Sequence, residues 1–104
     1  AARTTGKLGI GVDADQYSEA PGHVLTSMVK GIDESVFQAV KAVKEGTFTG
    51  GIQQFGLAEN GVGYVYDANN KALIPDAVRA TLNALTADII AGRITVPSTR
   101  PGTK

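Results

Sequence analysis

Asp13 and Asp15 stand two residues apart where an apolar run, Leu8 to Val12, gives way to polar residues. In open α/β sheets, ligands bind outside the carboxyl ends of the strands, where loops supply the polar groups. A carboxylate at such an end can accept two hydrogen bonds from the vicinal hydroxyls of a sugar, or hold a magnesium ion. Asp13 can equally bind nearby backbone N–H groups and cap its own loop as an Asx turn. Lys30 closes a second apolar run, residues 23–29, directly before a helical pattern. Set beside the first strand, it faces the same polar rim as Asp13, as an ion-pair partner or a donor to a ligand oxygen. The plainer alternative for Lys30 is a solvated lysine.

Other chemistry is poorly supplied. His23, the single histidine, follows the turn pair Pro21-Gly22 and is expected to face solvent. With no cysteine and one histidine, soft-metal sites and thiolate catalysis are excluded, and no metal or cofactor is expected. Ser18, Ser27 and Ser35 lack the G-x-S-x-G elbow of a serine hydrolase. Gly9-Ile-Gly11 lacks the third glycine of a dinucleotide fingerprint, and a loop follows where a helix is needed. Ten basic residues balance ten acidic ones, which argues against a nucleic-acid binder or a polybasic membrane anchor. No apolar run approaches the ~18 residues of a membrane span.

The elements that position these residues follow from hydrophobic period. Residues 7–13 and 23–29 are expected strands, the second apolar enough to be covered on both faces. Glycines at 9 and 11 let another backbone or a ligand come close. Ile32, Val36, Val40 and Val43, widened by Phe37, predict a helix over 31–45 that stops at Gly46. Residues 52–57 and 62–66 are expected to pair as a hairpin about Asn60-Gly61, with Val62, Tyr64 and Tyr66 on one packed face. Residues 67–70 form a turn cluster. A second helix starts at Pro75-Asp76, carries Val78, Leu82, Leu85 and Ile89, and ends at Gly92. Residues 94–96 suit a last short strand, and 98–104 a flexible tail. The order β-β-α-β-β-α is α/β. With 42% hydrophobic and 19% charged residues, the 104-residue chain is globular in composition and one small domain in length. Yet it has 13 glycines, three Phe, three Tyr and no Trp, so large core side chains are scarce. A chain so built is expected to lean on other protein surface.

Four segments together resemble a known family: GVDADQY, LTSMVKGIDESVFQAV, GTFTGGIQQFGLAENGVGYVYD and ALIPDAVRATLNALTADIIAGRITVP. They are similar to the C-terminal third of basic membrane protein (purine nucleoside receptor A-like) solute-binding proteins, the extracytoplasmic receptors of ABC importers. The resemblance runs from about Lys7 to Pro97. It implies part of a type I periplasmic-binding-protein fold, two α/β lobes of parallel sheet joined by a hinge, without catalysis. On that basis residues 1–97 are expected to contribute to both lobes, crossing between them near 24–30. The resemblance makes Asp13 the acid that holds ribose hydroxyls and Lys30 a hinge-strand ligand contact, with Asp15 and Gln16 as secondary candidates. Aromatic residues that sandwich a purine are expected upstream of Ala1, as is any signal or lipid-anchor region. The implied partners are a nucleoside, the remaining part of the same protein or a swapped copy, and an ABC permease. The implied location is periplasmic or cell-surface, lipid-anchored or soluble. The alternative is a non-catalytic interaction or regulatory domain on the same fold.

Overall fold

Strand β1 (Gly9–Asp13) lies parallel to β2 (Val24–Lys30), and the short β3 (Val62–Tyr64) runs antiparallel on the other side of β2. The computed structural model describes residues 1–100 and Gly102, so part of the tail expected over 98–104 lies outside the described residues. Within these bounds the chain is α/β, as its pattern implies, and it divides into two units, Ala1–Ile74 and Pro75–Lys104.

In the first unit, β2 is the central strand, and all of it except Lys30 is buried or half-buried. This agrees with its nearly continuous apolar sequence. The register sets Gly11 beside Ser27, Val12 beside Met28 and Asp13 beside Val29. Helix α2 (Ile32–Glu45) begins directly after β2 and ends at Gly46 in the left-handed conformation (φ 72°). A single turn, α1 (Ala2–Thr5), precedes β1 and carries none of the hydrophobic periodicity that would announce it.

Few apolar side chains are deeply covered: Val24 and Ile74 are buried, and the polar Ser27 and Asn70 are buried with them. Asn70 acts as a clamp. Its Nδ2 donates to the Leu25 and Val65 carbonyls at 3.0 and 2.8 Å, and its Oδ1 accepts the Asp67 N–H at 2.9 Å. With Thr26 Oγ1 donating to the Val65 carbonyl at 2.7 Å, the chain after β3 is tied to β2 by hydrogen bonds. Ile10 and Val12, on the opposite face of β1 from Gly11, are about half exposed or more.

Two expected strands do not form. Residues 52–57 are irregular, and Ile52 is 97% exposed. Asn60 does take the left-handed conformation its pairing with Gly61 suggests (φ 56°). However, the Gly61 N–H bonds back to the Gly56 carbonyl at 2.9 Å, which closes a loop instead of a two-residue hairpin. A side chain at Gly61 would collide with Phe55, so the glycine is needed for this close approach. β3 then takes β2 as its partner, with Val62 opposite Lys30 and Tyr64 opposite Met28. The local signal fixed a turn, and the free edge of β2 decided the pairing. Tyr66 falls beyond β3, yet it is half-buried as Val62 and Tyr64 are.

The second unit holds α3 (Asp76–Ile90), preceded by Pro75 and followed by Gly92 in the left-handed conformation (φ 75°). Arg93 then folds back on Asp88, donating through Nε at 2.8 Å. Its backbone N–H meets the Asp88 carbonyl at 2.9 Å. That turn takes the chain out of extended geometry, and residues 94–96 form no strand.

Candidate functional site

Parallel pairing brings the carboxyl ends of β1 and β2 to one rim, and there Lys30 Nζ lies 2.7 Å from Asp13 Oδ1. The two residues singled out at separate strand ends are thus brought together, as an ion pair. Their side chains are 63% and 52% exposed for Asp13 and Lys30, so water screens the pair and its contribution to stability is small. Its chemical capacity matters more. A carboxylate has two acceptor oxygens and an ammonium three donors, so each keeps positions for a second partner. Side by side they offer an acceptor and a donor to one polar solute.

Asp13 is held in an unusual backbone state, with φ 76°. Outside glycine this left-handed region is uncommon, although Asp and Asn tolerate it best. The chain reverses at this point, and the loop folds back across β1. The Gln16 N–H donates to Ser27 Oγ at 3.0 Å, and Gln16 lies over Gly11. The close approach that the β1 glycines permit is therefore made at Gly11 by the protein's own loop.

Asp15 and Gln16 do not join the Asp13–Lys30 pair. Asp15 Oδ1 accepts the Tyr17 N–H at 3.0 Å, the Asx-type contact considered for Asp13. Asp15 also lines a small pocket with Tyr17, Thr26, Asp67 and Asn69. His23 is half-buried, and its Nδ1 lies 3.4 Å from the Lys7 carbonyl oxygen in solvent-exposed surroundings. No group of three or more histidines and carboxylates among the described residues is placed to hold a metal ion. No helix among them is long and apolar enough to cross a membrane.

Ser27, which no catalytic motif marks, supports this rim by receiving the Gln16 N–H, and Asn70 secures β2 farther back at Leu25. A legible signal existed, because a polar side chain inside the apolar run of a covered strand needs a hydrogen-bond partner.

The chain is similar to known proteins over most of its length. A family model described as "ABC transporter substrate-binding protein PnrA-like" matches residues 1–100. Basic membrane protein A of Borreliella afzelii is 37% identical over 90 residues, 85% of this chain and 27% of the relative. An uncharacterised lipoprotein of Pyrococcus abyssi is 47% identical over 57 residues, 55% of this chain and 14% of that protein. The chain thus spans about a quarter or less of the length of these curated relatives. Among solved structures, an ABC transporter solute-binding protein from Aeropyrum pernix K1 superposes with a TM-score of 0.68 at 23% identity. That match covers 97% of this chain and 36% of the other. A protein described as a transcriptional activator of the comK gene from Bacillus halodurans gives 0.77 at 21% identity, over 91% and 32% of the two chains.

Proposed function

This chain belongs to the PnrA-like family of ABC transporter substrate-binding proteins, and from that premise we propose that it is one segment of an extracytoplasmic receptor that closes on a purine nucleoside or a similar small polar solute. The observation that carries the proposal is the exposed Asp13–Lys30 pair, an acceptor and a donor 2.7 Å apart where two parallel strands end. Asp13 accepts hydrogen bonds from ribose hydroxyls, and Lys30 donates to a ligand oxygen. Asp15 and Gln16, the secondary candidates, contribute through the loop that carries Asp13.

In this reading residues 1–97 belong to both lobes of the receptor, with β2 as a crossing strand. The remaining part of the same protein, or a swapped copy, completes the cleft, and an ABC permease receives the solute. No bond is made or broken in the solute. The relatives named lipoprotein and basic membrane protein support a place at the cell surface or in the periplasm.

A second reading, a regulatory module on the same fold, is favoured by one observation, the likeness to the Bacillus halodurans protein described as a transcriptional activator. Thermal unfolding of the complete receptor with inosine, guanosine or adenosine separates the two. A ligand-dependent rise in Tm with at least one nucleoside is expected for the receptor. No rise with any of the three favours the regulatory module.

A further inference from the structure

We propose that Ser27 is a positioning residue for the ligand site, acting through the backbone of Asp13; the proposal rests on Asp13 being the ligand acceptor. Ser27 is fully buried in the middle of β2, beside Gly11 in the parallel register. A hydroxyl sealed from water needs a partner, and this one accepts the Gln16 N–H at 3.0 Å. That bond draws residues 14–16 back over β1 directly after Asp13. The reversal is made by the left-handed turn of Asp13 itself, at φ 76°. Such a conformation in a non-glycine residue persists where surrounding structure over-determines it, and the Gln16–Ser27 bond is the tether across the reversal.

Gly11 completes the device. A Cβ at Gly11 would collide with the Ser27 hydroxyl and lie 2.9 Å from Gln16 Cβ and 3.0 Å from Gln16 Oε1. Only glycine leaves room there for the serine and the returning loop together. With the loop seated, the Asp13 carboxylate stands 2.7 Å from Lys30. Ser27 therefore touches no solute and sets the direction from which Asp13 meets one.

The test uses the complete receptor with Ser27→Ala, and with Ser27→Cys, which keeps the shape at a somewhat larger volume and weakens the acceptor. Calorimetric titration with inosine, guanosine and adenosine is expected to show binding weakened roughly 3- to 10-fold by Ser27→Ala, the share of one ordinary hydrogen bond. In an Asp13→Ala background the same substitution is expected to change nothing, because its effect passes through Asp13. Equal losses in both backgrounds overturn the proposal and leave Ser27 a general support of the fold. Backbone nuclear magnetic resonance gives an independent reading, since the Asp13 coupling constant and carbon shifts report its φ. Departure of Asp13 from the left-handed region in either Ser27 variant supports the proposal, and an unchanged Asp13 overturns it. Should the parent receptor bind none of the three nucleosides, the ligand reading fails, and this backbone measurement still decides the role of Ser27. Should Ser27→Ala fail to fold, Ser27→Cys carries both measurements.

Discussion

The strand rim and helix α2 belong to the same unit, yet they are held by different forces. Behind the rim, a buried serine in the middle of β2 receives the loop after Asp13, and a buried asparagine ties the chain after β3 to the start of β2, through bonds of 2.8–3.0 Å. These contacts join separate elements, one of them across 45 residues, and are specific in geometry. Helix α2 is stabilised from within: Asp33 and Glu34 favour its first turn, Lys44 its last, and Gly46 closes it. Gln38 Nε2 donates to Glu34 Oε1 one turn away, at 2.6 Å. Its apolar stripe, however, is uncovered, with Ile32, Val36, Phe37, Val40 and Val43 all more than half exposed. Burying one such side chain is worth about 1.5–3 kcal/mol, so most of the helix's packing energy is not realised within these residues. A region can be finished in its polar contacts while its neighbour still needs another surface. That surface fits a chain spanning about a third of each solved structure it resembles.

The largest effect that would sharpen this contrast is on association. The purified 104-residue chain, with no other polypeptide present, is expected to scatter light as a dimer or larger species, because uncovered apolar faces and open strand edges drive self-contact. Val40→Lys with Val43→Lys should return the mass toward one chain. A compact monomer of the parent chain with cooperative unfolding counts against the whole comparison.

Next in size is Asn70→Ala, which removes a clamp with three part-buried hydrogen bonds and leaves the Val65 carbonyl only its bond from Thr26. We expect a loss of about 2–4 kcal/mol in urea unfolding of the complete receptor. A loss no greater than that of an exposed α2 substitution such as Gln38→Ala would break the distinction between the two regions.

Asp13→Ala should weaken nucleoside binding about 10- to 150-fold, since a charge-assisted hydrogen bond contributes ~1.5–3 kcal/mol. A change below about threefold, with the fold intact, removes Asp13 from the site. The smallest expected change in stability is that of Lys30→Met. The ion pair is exposed, so unfolding should move by less than about 1 kcal/mol, while nucleoside affinity falls. Unchanged affinity would make Lys30 a surface lysine that happens to meet Asp13.

The candidate rim was legible because strand ends are marked by composition: an apolar run stops at Asp13, and another stops at Lys30. Once the strands are parallel neighbours, both ends fall on one side, and the ion pair follows. Asp15 and Gln16 are close in sequence to Asp13 but turn away with the loop, Asp15 toward the Tyr17 N–H and Gln16 toward Ser27 Oγ. The strand expectation fails for residues 52–57, whose apolar residues suit a strand that no neighbouring edge receives. Sequence spacing specifies what a segment can form, and hydrogen-bond partners distant in the chain select among the possibilities.

What the sequence by itself determined is what depends on neighbours within a few residues. The helices over Ile32–Glu45 and Asp76–Ile90, their glycine stops, the turn at Asn60-Gly61 and the two apolar strands all follow from local period and backbone preference. The tertiary structure alone decided that β3 pairs with β2, that Ser27 receives Gln16, and that Asn70 clamps Leu25 and Val65. These outcomes turn on which buried polar group finds which partner across the chain, and burial is a property of the assembled surface that no window of sequence contains.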